Sequence, residues 1–192
     1  MKKKVLIDEL TLQERITQLA KEITKDYKGK ELTLICILKG SIFFFTDLAK
    51  RIKLDTKLEF IRVSSYEGEK STGKIKLKVN LDEPITDKDV IVIEDIIDTG
   101  KTLSYLMKYL SKQKPHSLKL CTLLDKPEGR KVDDIIVDYV GFTIPNRFVI
   151  GYGLDLDEQY RNLPEVNCFT NDSEKVLNID RKLIKNQIKK NT

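Results

Sequence analysis

Residues 94–102 read Glu-Asp-Ile-Ile-Asp-Thr-Gly-Lys-Thr and follow the aliphatic run Val-Ile-Val-Ile at 90–93. Such a run describes a strand buried on both faces, which tolerates adjacent carboxylates poorly in its middle. Glu94 and Asp95 are therefore expected at its C-terminal end, where open α/β sheets bind ligands. Side chains alternate along a strand, so the two carboxylates should begin on opposite faces. Acceptors diverging in that way suit a vicinal diol or a hydrated divalent cation. The next turn, 98–102, leads into a helix. Gly100 permits a positive φ that turns successive N–H groups inward, and the hydroxyls of Thr99 and Thr102 add donors. Such a nest at a helix N-terminus binds phosphate.

Three other motif matches fail on their own spacing. A P-loop ending in Gly100-Lys101-Thr102 requires Gly at position 95, which is Asp95. Gly151-Tyr152-Gly153 would need Gly at 156 to complete a dinucleotide fingerprint, and that residue is Leu156. Asp98-Thr99-Gly100 has the letters of an aspartic-protease triplet, but it occurs once and opens a helix.

The surrounding chain must build elements that hold this turn. Leu12, Ile16, Leu19, Ala20 and Ile23 recur at helical spacing over 12–27, with Thr11 as the expected N-cap and Gly29 as the stop. Residues 32–38 form a second apolar strand, followed by Lys39-Gly40-Ser41 and a helix through Phe43, Phe44, Leu48 and Ile52. Residues 57–63 and 74–79 alternate apolar and polar side chains, predicting two half-exposed strands that flank the polar segment 64–73. A helix over 102–110 and strands over 118–124, 135–139 and 148–151 follow. Two strand–helix alternations predict an α/β fold with a parallel sheet covered by helices on both faces. Residues 173–192 place Val176, Leu177, Ile179, Leu183, Ile184 and Ile188 near one helical face with basic residues elsewhere, a pattern expected to dock.

The 192 residues, 40% hydrophobic and 34% charged, supply one core rather than two roomy ones. Apolar stretches fall far short of the roughly 20 residues that span a bilayer. Asp8 and Glu9 interrupt the apolar segment that a signal peptide starting at Lys2-Lys3-Lys4 would need, so a cytoplasmic protein with no membrane partner is expected. The net charge is +5, but residues 2–4 carry three Lys and 174–192 carry six basic against two acidic side chains, leaving 5–173 at −2. Only seven of the 35 basic residues are Arg, the side chain that grips phosphate bidentately, which argues against nucleic acid as the main partner. Cys36, Cys121 and Cys168 lie far apart beside a single His116, so buried thiols are expected rather than zinc or disulfides.

Residues 90–102 resemble the phosphoribosyl-pyrophosphate motif of the type I phosphoribosyltransferases, in the form used by hypoxanthine-guanine phosphoribosyltransferases. Leu38-Lys39-Gly40, Ser65-Tyr66 with Ser71-Thr72-Gly73, Lys126, the stretch 140–155 and Tyr160-Arg161-Asn162-Leu163-Pro164 follow in the family's order, over about residues 8–168. The resemblance implies the type I phosphoribosyltransferase fold, α/β with a central mostly parallel sheet flanked by helices. It implies one domain over 1–172, whose small hood lobe is formed by the N-terminal segment and about residues 126–168, with the tail 173–192 beyond it. The implied activity is Mg²⁺-dependent purine salvage: hypoxanthine or guanine, with xanthine open, plus 5-phosphoribosyl 1-pyrophosphate gives IMP or GMP and pyrophosphate. A homodimer or homotetramer is expected.

Carried over residue by residue, the resemblance has Glu94 and Asp95 hold the ribose hydroxyls and Mg²⁺, with Asp155 a second Mg²⁺ contact through water. Asp98 sits beside N7 of the purine in the family, which gives it the proton transfer. Asp98, Thr99, Gly100, Lys101 and Thr102 hold the 5-phosphate, in agreement with the nest. Lys39 and Gly40 match the pyrophosphate-binding turn, where the family often has a cis peptide not preceding proline, and Arg161 matches a further pyrophosphate contact. In the purine set, Lys126 matches the donor to the 6-oxo group, Phe148 the stacking ring and Val149 the backbone contact to the Watson–Crick edge, with Asp155 nearby. An ammonium fixed at the 6-position favours a carbonyl over the amino group of adenine. Segment 64–73, with Ser65 and Tyr66, suits a lid. Asn146, where many relatives have an acid, and Leu156, where an aromatic is common, depart from the pattern, and the chain after Cys168 has no counterpart. The alternative is a phosphoribosyl-pyrophosphate-sensing regulator that holds nucleic acid through residues 1–4 and 174–192, for which an intact base pocket has little use.

Overall fold

Two uninterrupted apolar strands frame the architecture. The structure, a computed structural model, describes residues 2–65 and 75–170. Strand β2 (Leu32–Ile37) is buried along its whole length and pairs in parallel with β3 (Thr56–Ser65) on one side and β5 (Asp89–Ile97) on the other. Strand β6 (Ser117–Asp125) continues the parallel set from β5, and β7 (Tyr139–Thr143) from β6. Strand β4 (Ile75–Val79) runs antiparallel to β3, as two strands flanking one polar segment would. The six strands lie in the order β4-β3-β2-β5-β6-β7.

Helices α1 (Glu9–Asp26) and α2 (Ile42–Ala49) cover one face, where Leu12, Ile16, Phe44 and Leu48 share a core with Leu34, Ile91 and Ile93. Helix α3 (Lys101–Ser111) covers the other through Leu103, Leu106 and Leu110, against Val90, Val92 and Leu120. A second sheet, β1-β9-β8, is antiparallel throughout and ties the N-terminal strand β1 (Lys2–Ile7) to β9 (Val166–Thr170) and β8 (Val149–Ile150).

Several boundaries differ from the sequence reading for local reasons. Asp8, not Thr11, caps α1: its Oδ1 accepts the Thr11 N–H at 2.8 Å and its Oδ2 the Thr11 hydroxyl at 2.9 Å. A carboxylate there also meets the positive end of the helix dipole. Helix α2 stops at Ala49, short of Ile52. The strand expected over 135–139 begins only at Tyr139, because Ile135 is taken by the core under α3. Strands β1 and β9 escaped the periodicity argument: three lysines open β1, and β9 gains its partner only from the far end of the chain.

Cys36, Cys121 and Cys168 are buried thiols in β2, β6 and β9. Burial pushes the Cys36 thiol up to about 12 and raises that of Cys121 as well. Among the described residues no helix is long and apolar enough to cross a membrane. Tyr66 and most of the expected lid, and the tail 173–192, lie outside the described residues.

Candidate active site

The site forms where β5 loses a neighbour. Its pairing with β2 stops at Cys36 opposite Ile93, while its pairing with β6 runs on to Ile97 opposite Asp125. The strand therefore continues through Glu94 and Asp95 rather than ending there, with one side open to the turn that follows β2. In the β5–β6 ladder Asp95 has no partner, falling between Glu94 opposite Thr122 and Ile96 opposite Leu124. The register is unchanged across this point, and Ile96 packs against the core that holds Ile93 while Ile97 joins the core under α3. The two carboxylates, expected to diverge, instead converge on one turn. Ser41 Oγ donates to Glu94 Oε2 at 3.1 Å, and a Cβ on Gly40 would fall onto Asp95 Oδ2, so glycine is what lets the turn approach. The peptide bond leading into this turn, Leu38–Lys39, is cis.

Burial raises both carboxyl groups above their ordinary range, and the charge of Asp95 pushes Glu94 further. The Ser41 hydroxyl on Glu94, and on Asp95 the Ile96 N–H at 2.7 Å with the more distant Arg161, pull the other way. A crowded pair of this kind favours a cation or hydroxyl donors between its oxygens. Among the described residues no three acidic, imidazole or thiol side chains cluster closely enough to cage a metal ion. Asp155 lies near enough for its charge to push the Asp95 carboxyl up, and its Oδ1 is 2.8 Å from Arg161 Nη2.

The turn after β5 has the predicted form. Gly100 is the N-cap of α3 at φ 76, and no side chain caps the helix. The first-turn N–H groups thus point outward beside the exposed Thr99 and Lys101 and the half-buried Thr102. A Cβ on Gly100 would also lie 2.8 Å from Val132 and 2.9 Å from Ile135.

Asp98, at the mouth of that turn, meets Lys126. The lysine is 4% exposed, and its Nζ donates to Asp98 Oδ2 at 3.4 Å. Its own N–H donates to Ile97 O at 3.0 Å, docking the turn 126–130 onto the end of β5. Asp125 pairs with Arg130 across the same turn, a clamp the sequence reading missed. Gly129 lies close enough that a Cβ would sit 2.6 Å from Asp98 Oδ1 and 3.4 Å from Asn146 Oδ1. The family departure at Asn146 is therefore beside the Asp98 carboxylate.

Phe148 is 54% exposed, and its ring lies 6.4 Å from that of Phe169 at 24°, while Tyr160 meets Phe169 edge-on. Phe169 was not foreseen, since only the β8–β9 pairing brings it near. The Val149 side chain is in the core and its residue pairs with Cys168, so the role implied for Val149 can fall only to its backbone. Lys39 and Arg161 come together on the far side of the turn: Lys39 Nζ is 3.0 Å from Glu158 Oε2, and Arg161 Nη1 donates to Gly153 O at 2.7 Å. Ser65 ends β3, next to the segment expected as a lid, which lies outside the described residues.

A phosphoribosyl transferase domain model matches residues 7–157. A hypoxanthine-guanine phosphoribosyltransferase of Streptococcus thermophilus is 47% identical over 165 residues, which cover 85% of this chain and 91% of that protein. The bifunctional protein TilS/HprT of Listeria monocytogenes is 50% identical over 164 residues, 85% of this chain, but this chain spans only 25% of its length. A crystal structure of a hypoxanthine-guanine phosphoribosyltransferase from Bacillus anthracis superposes with a TM-score of 0.83 at 49% identity, covering 87% of this chain and 98% of that one. With a mostly parallel sheet, helices on both faces and this motif at the rim of β5, the chain belongs to the phosphoribosyl transferase family, among its hypoxanthine-guanine phosphoribosyltransferases.

Proposed function

We propose that the protein transfers the phosphoribosyl group of 5-phosphoribosyl 1-pyrophosphate to hypoxanthine or guanine, releasing pyrophosphate and forming IMP or GMP. A purine ring nitrogen bonds to C1 as the C1–oxygen bond to pyrophosphate breaks, and the proton shed by the imidazole ring passes to the Asp98 carboxylate. The observation that carries this reading is the Asp98–Lys126 pair: a fixed ammonium beside an exposed carboxylate offers a 6-oxopurine one donor and one proton acceptor. Lys126 donates to the 6-oxo group, Phe148 stacks on the base, and the Val149 backbone meets its Watson–Crick edge. Thr99, Gly100, Lys101 and Thr102 hold the 5-phosphate, Glu94 and Asp95 the ribose hydroxyls, and Lys39, Gly40 and Arg161 the leaving pyrophosphate. Positioning and charge neutralisation do most of the work, because a developing oxocarbenium ion asks for little covalent help.

The donor set suits Mg²⁺. This ion is usually held by one or two carboxylates together with substrate phosphates rather than by a cage of side chains, and Glu94 and Asp95 supply such a pair, with Asp155 at a second position. When bound, Mg²⁺ would neutralise charge on the leaving pyrophosphate.

The test is pyrophosphate release with 5-phosphoribosyl 1-pyrophosphate, MgCl₂ and, separately, hypoxanthine, guanine, xanthine and adenine, with Asp98→Asn alongside. Turnover is expected with the oxopurines and not with adenine, and the variant should fold normally yet turn over roughly 10²–10⁴-fold more slowly. Silence with all four bases would overturn the activity, and full activity in the variant would remove Asp98 from its role.

A further inference from the structure

We propose that Glu158 is a built-in stand-in for pyrophosphate, holding the two cations of the leaving-group site until pyrophosphate displaces it. The inference rests on the reading of Lys39, Gly40 and Arg161 as that site.

One carboxylate oxygen does the bridging. Glu158 Oε2 lies 3.0 Å from Lys39 Nζ, 3.3 Å from Arg161 Nη2 and 3.4 Å from Arg161 Nε. The two cations come from distant parts of the chain, Lys39 from the turn after β2 and Arg161 from beyond β8, and Glu158 is the acid that joins them. An anion that spans both is what a pyrophosphate oxygen would be.

The surrounding backbone fixes the placement. Asp155 Oδ2 accepts the Glu158 N–H at 2.9 Å, closing a turn in which Asp157, Glu158 and Tyr160 stand at φ 51, 61 and 70. Left-handed backbone at successive non-glycine residues is uncommon, so this turn is held by its contacts rather than by preference. A Cβ on Gly153 would fall onto Gly40 O, so the two segments touch backbone to backbone and the Lys39–Arg161 span is set by packing.

Exposure makes the contact exchangeable. The Lys39 and Glu158 side chains are 45% and 63% exposed, which keeps the pair weak. Pyrophosphate carries more charge than one carboxylate and takes the cations. By the same competition the returning carboxylate hastens its departure, so Glu158 lowers affinity for the product.

The experiment is calorimetric titration of the full chain with sodium pyrophosphate in buffer containing MgCl₂, comparing the native protein with Glu158→Gln and Asp157→Asn. The neighbouring Asp157 variant removes an equal charge without touching the bridge. E158Q is expected to bind pyrophosphate roughly three- to tenfold more tightly, the range two exposed ion pairs allow, with D157N unchanged. Glu158→Asp, too short to reach both cations, should shift in the same direction and serves if E158Q folds poorly. Equal or weaker binding in E158Q would overturn the proposal, leaving Glu158 as a residue that merely orders its turn. Equal tightening in D157N would overturn it in favour of net charge. Absence of binding to every chain would overturn it together with the pyrophosphate reading on which it rests.

Discussion

Gly40 governs the carboxylate pair although it has no side chain. A methyl group there would occupy the position of Asp95 Oδ2, so in Gly40→Ala the Asp95 carboxylate must swing away or the turn must retreat. Turnover is expected to fall at least tenfold, since small misplacements in a site can cost about 10²-fold, while stability changes by only about 1 kcal/mol. Steady-state kinetics and urea melts check this; unchanged turnover would mean that Asp95 does not need its present position. At this scale the contiguous motif was legible: Glu94, Asp95, Asp98 and the Gly100 turn could all be read from one strand-to-helix segment. Ser41, Glu158 and Phe169 could not, because each acquires its role from a residue far along the chain. No local spacing encodes such a meeting.

Among the elements, α1, α2 and the turn at 151–153 are joined by one acid. Asp47 Oδ2 accepts the Tyr152 hydroxyl at 2.6 Å and Gln13 Nε2 at 2.9 Å, while Arg51 lies 3.4 Å from Asp47 Oδ1 and donates to Gln13 Oε1 at 2.7 Å. Burial tends to raise the Asp47 carboxyl, but the hydrogen bonds from Tyr152, Gln13 and Lys50 together with the Arg51 charge outweigh it and leave the group below its ordinary range. Tyr152→Phe should therefore lower stability by about 1.5–3 kcal/mol, the usual worth of a hydrogen bond to a charged group, as read by the urea midpoint at constant slope. A loss under about 0.5 kcal/mol would mean that water replaces the hydroxyl. The buried runs of β2 and β5 were readable as central strands because both faces must be apolar. The convergence of Glu94 and Asp95 on the turn after β2 was not, since it depends on where the β2–β5 pairing stops.

For the whole molecule, the buried acids with high proton affinity set an alkaline limit. Burial raises Tyr27, Tyr139 and Tyr152 above the ordinary 10.0, and Cys36 and Cys121 above 9.0. Above about pH 9 the unfolded chain releases these protons while the native protein keeps them, so the native state binds more protons and stability falls as pH rises. Each group can contribute up to about 1.4 kcal/mol per pH unit once its unfolded form has titrated. Melting temperatures measured from pH 8 to 10.5 should decline with increasing steepness, and a flat profile would show that these groups titrate in place. The buried thiols have another consequence. Cys36 and Cys121 belong to the six-stranded sheet and Cys168 to the three-stranded one. A thiol must reach solvent and ionise before a disulfide reagent can modify it. The three labelling rates are therefore internal clocks, able to tell whether the two sheets open in one event or the smaller one breathes alone.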